Sequence, residues 1–298
     1  MSYRLGIDVG GTKICVGLVQ VTDHVSLVAH KRLAVSKITD VVIDIRTAVD
    51  ALCDEKGVNI NEIEFCGVGI PGTVSADGRR ILKAPNISVL SENFADLLSA
   101  ALHGPVRMLQ DSRAAAWGEY RCGRGQGANT LICMTLGTGI GTGLVIGGRL
   151  YHGALGTAGE LGHVPVVENG RPCGCGKRGC VEKYAAGGGL DLTAQELLGE
   201  GKDAKDLFLA AKVGNSQAQL AIDSAIEQLG RVLVGAVNLL SPDAVLFSGG
   251  LSCEESFLSA LIAYIKAHCY AASHYPVLAR AALGELAPLI GAAMAKEA

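Results

Sequence analysis

An α/β fold of two similar lobes around one cleft is predicted from three observations. A strand–glycine turn–strand unit occurs twice, around residues 8–13 and again around 136–143, which marks a weak internal duplication. Amphipathic helical stretches alternate with short buried-type strands through both halves. Glycine makes up 40 of 298 residues, well above the usual ~7%, and it gathers where strands turn rather than in a collagen-like period.

The elements follow in order. Residues 4–9 form a short apolar strand ending in Asp8-Val9-Gly10-Gly11-Thr12-Lys13, and residues 14–21 and 25–35 continue it as an antiparallel set of three. Val41, Ile45, Ala48 and Leu52 recur at helical spacing and predict a helix over 40–55. A strand at 64–70 stops at Pro71-Gly72, and a helix at 93–102, a strand at 106–109 and a helix at 111–120 follow. The second unit opens with strands at 130–136 and 144–146 around a Gly/Thr turn at 137–143. Helices are expected at 204–211, 216–240 and 254–271, with a strand at 244–247 running into Ser248-Gly249-Gly250. An Ala-rich helix over 286–296 ends the chain. A small N-terminal lobe of 1–115, completed by 285–298, and a larger lobe of 116–284 are the expected domains.

Composition narrows the class. Lys and Arg number 26 and Asp and Glu 29, a net charge of −3, which supplies no basic surface for nucleic acid or an anionic membrane. The N-terminus lacks a basic region followed by an apolar run, so no signal peptide is expected. The most apolar window, 131–148, is broken by Gly and Thr and makes a poor membrane span. A cytoplasmic protein is expected, and ten cysteines there point to free thiols or metal ligands. Seven of them are scattered singly and read as small buried hydrophobes.

The two glycine turns suit phosphate, because backbone N–H groups without a Cβ in the way can converge on its oxygens. Gly10, Gly11, Thr12 and Lys13 offer amides, a hydroxyl and an ammonium, and Thr138 and Gly139 lie in the second set. Neither run has Walker A spacing, and a strand rather than a helix follows the second, which argues against a Rossmann fingerprint. Ordinary hairpin turns are the plainer reading of each alone. Asp8, at a strand end, could organise Mg²⁺ through its waters.

His163, Cys173, Cys175 and Cys180 place one imidazole and three thiols within eighteen residues, a donor set for tetrahedral zinc. Four soft ligands leave no open position, so the metal would be structural; a redox cysteine pair is the rival reading. Glu160 and Glu182 flank this set, and a metal that held His163 and Cys180 would fix both carboxylates near one place. Paired carboxylates accept hydrogen bonds from the vicinal hydroxyls of a polyol. Asp111 stands between a strand and a helix, where ligands bind in α/β sheets and where a helix N-cap also belongs. Asn86, after Ala84-Pro85, reads by itself as a turn residue.

With Asp8-Val9-Gly10-Gly11-Thr12-Lys13, Glu160-Leu161-Gly162-His163 and Cys173-Gly174-Cys175-Gly176-x-x-Gly179-Cys180-x-Glu182 together, the chain resembles the sugar kinases of the ROK family (repressors, open reading frames and kinases) from about residue 4 to its end. The resemblance implies the actin-like, hexokinase-type ATPase fold and transfer of the ATP γ-phosphoryl group to the primary hydroxyl of a hexose such as glucose or allose. It implies Asp111 as general base, and Asn86, Glu160, His163 and Glu182 as sugar contacts, with His163 also on a structural zinc ion. Gly11, Thr12, Thr138 and Gly139 would cradle the ATP phosphates, and Gly249 and Gly250 would pack by the adenosine. It further implies a homodimer.

Where kinases of this family usually carry Asn-Asp-Ala-Asn, this chain has Gln110-Asp111-Ser112-Arg113. The base is retained, and the sugar is left open. An N-acetylmannosamine or other N-acetylhexosamine kinase is the alternative, followed by a non-catalytic sugar sensor. The family's repressors carry a helix-turn-helix before the first glycine hairpin, and Asp8 leaves room for only one strand, so no DNA-binding role is expected. The cysteine motif disfavours a chaperone or filament-type ATPase.

Overall fold

β1 (Ser2–Val9), β2 (Lys13–Val21) and β3 (Val25–Ala34) form an antiparallel meander, with Val9 paired to Ile14 across the first turn and Lys13 paired to Ala34. The computed structural model describes residues 2–84, 89–270 and 275–298. α1 (Val41–Lys56) starts where Asp40 accepts the N–H groups of Val42 and Ile43, and it ends at Gly57, whose φ of 65° suits a residue without a Cβ. β4 (Ile63–Ile70) returns parallel to β1. β5 (Thr73–Val74) and β6 (Ile81–Lys83) pair as a small hairpin that sequence patterning does not announce. α2 (Phe94–Leu102) leads to β7 (Val106–Gln110), parallel to β4, and the chain passes directly into α3 (Asp111–Cys122).

The second half repeats the plan. β8 (Thr130–Leu136), β9 (Ile140–Ile146) and β10 (Arg149–Leu150) form its meander. The expected turn over 137–143 is shorter than its composition suggests, because β9 begins at Ile140 and takes in Gly141, Thr142 and Gly143. Glycine stands at 143 within this strand because a Cβ there would meet the Ala116 methyl at 2.4 Å. α4 (Glu182–Ala185), α5 (Gly187–Leu198), α6 (Ala204–Lys212) and α7 (Ser216–Leu240) follow, then β11 (Ala244–Ser248), α8 (Glu255–His268), β12 (Val277–Arg280) and α9 (Ala287–Ala293). The terminal helix expected over 286–296 is divided: α9 is flanked by 3₁₀ turns at Gly284–Leu286 and Ala295–Glu297.

The duplication is carried by sheet topology. One sheet runs β3-β2-β1-β4-β7 and the other β10-β9-β8-β11-β12. Numbered within its own sheet, each reads third, second, first, fourth, fifth. A meander followed by parallel strands on the far side of the first strand is therefore built twice.

The described chain separates into two compact units, Met1–Cys133 with Gly143–Ala158 and Ala281–Ala298, and Met134–Thr142 with Gly159–Arg280. α3 packs against α9, and both lie in the first unit. That packing depends on absent side chains. A Cβ on Gly67 of β4 would lie 1.7 Å from the Ala292 carbonyl oxygen, and one on Gly291 would lie 1.7 Å from that of Ala114. α9 thus approaches the sheet on one side and α3 on the other at backbone distance. The first unit's core is aliphatic, with Leu5, Ile7, Val16, Ile45, Leu52, Val68 and Met108 among its buried members. Among the described residues, no helix is long and apolar enough to cross a membrane.

Candidate active site

In the first unit, Asp8 sits near the end of β1, and Asp111 is the first residue of α3. The Asp8 carboxyl is raised to about 7, first by burial and then by the negative charge of Asp111, with Lys13 pulling the other way. Two carboxylates crowded in this way favour a divalent cation between or beside them, so the donors present fit Mg²⁺. Asp111 does not cap α3 in the ordinary sense. Gln110 is the N-cap residue, and Asp111 Oδ1 accepts its neighbour's N–H, from Ser112, at 2.6 Å.

The turn between β1 and β2 is closed by the Gly10 N–H on the Lys13 carbonyl, at 2.9 Å. The Thr12 carbonyl accepts the Val35 N–H at 2.9 Å, and Gly11, Thr12 and Lys13 are exposed. The Lys13 ammonium lies 3.0 Å from Glu285, which Arg32 also approaches at 3.4 Å. Glu285 carries no sequence signal for this role, since its partners lie at the other end of the chain.

In the second unit, the turn between β8 and β9 is closed by the Gly137 N–H on the Gly139 carbonyl, at 3.0 Å. Its carbonyls are occupied: Gly187 donates to Gly137 at 2.8 Å and Gly188 to Thr138 at 3.1 Å. This explains why Gly187-Gly188-Gly189 can open α5 against its poor helix propensity. The amides bind the turn, and a Cβ on Gly189 would lie 2.6 Å from the Lys183 backbone. Gly249 has φ 83°, and a Cβ there would meet the Leu136 carbonyl oxygen at 2.4 Å, so Gly249 rests against the foot of the same turn.

Glu182, the first residue of α4, reaches this turn as well. Its Oε2 accepts the Ile140 N–H at 3.0 Å, and its Oε1 lies 3.8 Å from Cys173 Sγ. A Cβ on Gly139 would fall 2.4 Å from that Oε2, so only glycine leaves the carboxylate room. One side chain therefore touches both the glycine turn and the cysteine cluster.

The ligand atoms of His163, Cys173, Cys175 and Cys180 all lie within 4.8 Å of one another. Cys173 Sγ is 3.5 Å from His163 Nδ1, and Cys175 Sγ is 3.6 Å from Cys180 Sγ. Tetrahedral zinc, with Zn–S near 2.3 Å and Zn–N near 2.0–2.1 Å, sets its ligands about 3.6–3.8 Å apart, so the residues fit the metal. The Cys175–Cys180 separation is far beyond a disulfide bond of ~2.05 Å. Burial first, and then its cysteine neighbours, together raise the Cys180 thiol to about 12, and a bound cation would reverse that. The two nitrogens of His163 face different partners. Nδ1 faces the thiols, and Nε2 lies 3.8 Å from Glu160 Oε2.

Arg171 staples this loop to the helices behind it. It donates to the carbonyls of Lys183 at 2.9 Å and Gly189 at 3.0 Å, bonds Thr193 Oγ1, and lies over the Tyr184 ring. Sequence reasoning missed it, because a lone arginine among glycines reads as a solvent-facing charge. Asn86 lies outside the described residues. The other expected site residues fall into two sets: Asp8, the 10–13 turn and Asp111 in the first unit, and the 137–139 turn, Gly249, Gly250, Glu160, Glu182 and the metal donors in the second.

The family description "ROK family" matches residues 4–298. A glucokinase of Streptomyces coelicolor is 34% identical over 98% of this chain and 97% of its own length. An N-acetylmannosamine kinase of Vibrio vulnificus is 32% identical over 97% of this chain and 96% of its own. Among solved structures, a ROK family glucokinase from Streptomyces griseus in complex with glucose and AMPPNP aligns with a TM-score of 0.77 at 33% identity, covering 98% of each chain.

Proposed function

The chain belongs to the ROK family and has the actin-like ATPase fold, and on that premise we propose that it is an ATP-dependent kinase acting on the primary hydroxyl of a hexose. The observation that carries the proposal is the meeting of Asp8 and Asp111 in one unit, a cation-ordering carboxylate beside a carboxylate at a helix start. Asp111 takes the proton of the attacking sugar hydroxyl. The hydroxyl oxygen bonds to the γ-phosphorus, the bond to the β–γ bridging oxygen breaks, and ADP leaves. The amides and hydroxyls of Gly11, Thr12, Thr138 and Gly139 take the phosphates, while the Gly10 N–H closes its turn and Lys13 serves as a point charge once it releases Glu285. Gly249 and Gly250 lie by the adenosine. Mg²⁺ at Asp8 supplies charge neutralisation.

Glu160, His163, Glu182 and Asn86 hold sugar hydroxyls. Glu182 has the capacity, since an ionised carboxylate has about four acceptor positions and the Ile140 N–H occupies one. Zinc on His163, Cys173, Cys175 and Cys180 supplies only a rigid scaffold, with Nε2 of His163 left for the sugar side. The N-acetylmannosamine kinase relative supports a second reading, in which an N-acetylhexosamine is the acceptor.

A coupled ADP-release assay with Mg-ATP against a panel of hexoses and N-acetylhexosamines tests both. One sugar far above the rest names the substrate class. Asp111→Asn is expected to lower kcat by about 10³-fold or more while sugar binding persists. Near-wild-type turnover in that variant refutes the assignment of the base.

A further inference from the structure

Arg113 stands two residues after Asp111 in the first turn of α3, and only 3% of it is exposed. Its Nη2 donates to the Gly156 carbonyl at 2.6 Å and to the Ala158 carbonyl at 3.0 Å. Those carbonyls belong to the irregular segment 152–158. Gly153 and Gly156 turn it with φ of 72° and 69°, and the Ala158 N–H closes it onto the His152 carbonyl at 3.1 Å. Its tip carries Leu155, 87% exposed, so the guanidinium grips the segment from beneath. Two residues beyond Ala158 comes Glu160.

A buried guanidinium is costly to desolvate, and an apolar side chain would fill this space without that cost. What arginine adds is a planar guanidinium whose Nη2 points its two hydrogens in fixed directions, one at each carbonyl oxygen. The surroundings suit this role. Gln110, Ser75, Arg107, His152 and Gly156 line a cavity of about 10 Å³ beside Arg113. Burial lowers the His152 pKa, and the charges of Arg113 and Arg107 lower it further, which keeps the imidazole neutral at pH 7.

We propose that Arg113 is a positioning residue that sets sugar preference, by locking segment 152–158 to the helix turn that carries Asp111. The proposal rests on the kinase reading above. The base and segment 152–158, both in the first unit, are tied through one side chain, so the space this segment leaves for sugar substituents is fixed by that grip. Displacements near 1 Å at a reacting centre cost on the order of 10²-fold in rate, which makes such a lock decisive between similar sugars.

The test compares wild type with Arg113→Ala and Arg113→Lys. It reads kcat and KM over the sugar panel, affinity for a non-hydrolysable ATP analogue, and Tm. Arg113→Ala is expected to raise the sugar KM about tenfold or more, as loss of two charge-assisted bonds implies. The preference between the best and second sugar should fall about fivefold, with analogue affinity within about twofold of wild type. Arg113→Lys keeps the charge but not the length and fixed plane that aim Nη2 at both carbonyls, so it should show the same loss of preference. If the alanine variant fails to fold, the lysine variant decides.

Wild-type preference in Arg113→Lys overturns the proposal. So does a loss that is equal for every sugar and for the nucleotide and that follows Tm. A wild type that phosphorylates no sugar refutes the kinase reading instead, and sugar-induced thermal shifts in the three proteins then still read the effect of Arg113.

Discussion

The turns at 10–12 and 137–139 carry the same glycine and threonine chemistry, yet the fold braces them by different means. The first is held by charge. Asp8 lies beneath it, Lys13 is drawn to Glu285, and one backbone bond closes it. The second is held by backbone. Amides from the start of α5 occupy its carbonyls, and Glu182 takes the Ile140 N–H while touching the cysteine cluster with its other oxygen. Equivalent positions in a duplicated plan can therefore depend on different physics, protonation for one and the folding of a metal loop for the other.

Removing the zinc proposed for the cysteine cluster should separate them most. Chelation, or Cys175→Ser, is expected to lower Tm by about 10 °C or more, because structural zinc contributes folding energy directly. Amide hydrogen exchange should then quicken at 137–140, reached through Glu182, and stay unchanged at 10–13. Equal quickening in both turns would break the comparison.

A sharper probe stays within the second turn. Gly137→Ala places its methyl in open space, whereas Gly139→Ala drives into Glu182 Oε2. Breaking the Glu182–Ile140 bond should weaken binding of a non-hydrolysable ATP analogue about tenfold, and Gly137→Ala should change it by less than about threefold. Titration calorimetry gives both values. Similar losses would mean that Glu182 does not brace the turn.

The smallest expected effect concerns protons at the first turn. Asp8 titrates near 7 in the fold against an ordinary 3.8. The folded state thus binds this proton more tightly than the unfolded chain does. Stability from this group is full below about pH 4, falls as pH rises, and is lost above about 7. Asp8→Asn, neutral throughout, should raise the Tm of metal-free protein by a few degrees at most, and by more at pH 8 than at pH 5. A gain independent of pH would show that packing, rather than charge, confines Asp8.

Much of the site was legible because its signals are local. His163, Cys173, Cys175 and Cys180 lie close along the chain, and the fold brings their ligand atoms within 4.8 Å of one another. Asp111 follows a strand whose length and apolar character are plain. The start of α5 was not legible, since three consecutive glycines oppose a helix until Gly137 and Thr138 supply acceptors. Arg171 and Glu285 carried no local signal, and Arg113 stood out only as a departure from the family's usual Asn-Asp-Ala-Asn run.

The sequence by itself determined where strands turn, which atoms can bind a metal, and that one plan occurs twice. These follow from side-chain periodicity and donor chemistry over a few residues. Only the tertiary structure decided that Asp8 faces Asp111, that Glu182 serves two neighbours, and that Arg113 holds Gly156 and Ala158. Such contacts join residues far apart in the chain. They form only when burial of the intervening core outweighs the entropy of closing those loops, and no local pattern records which partner will arrive.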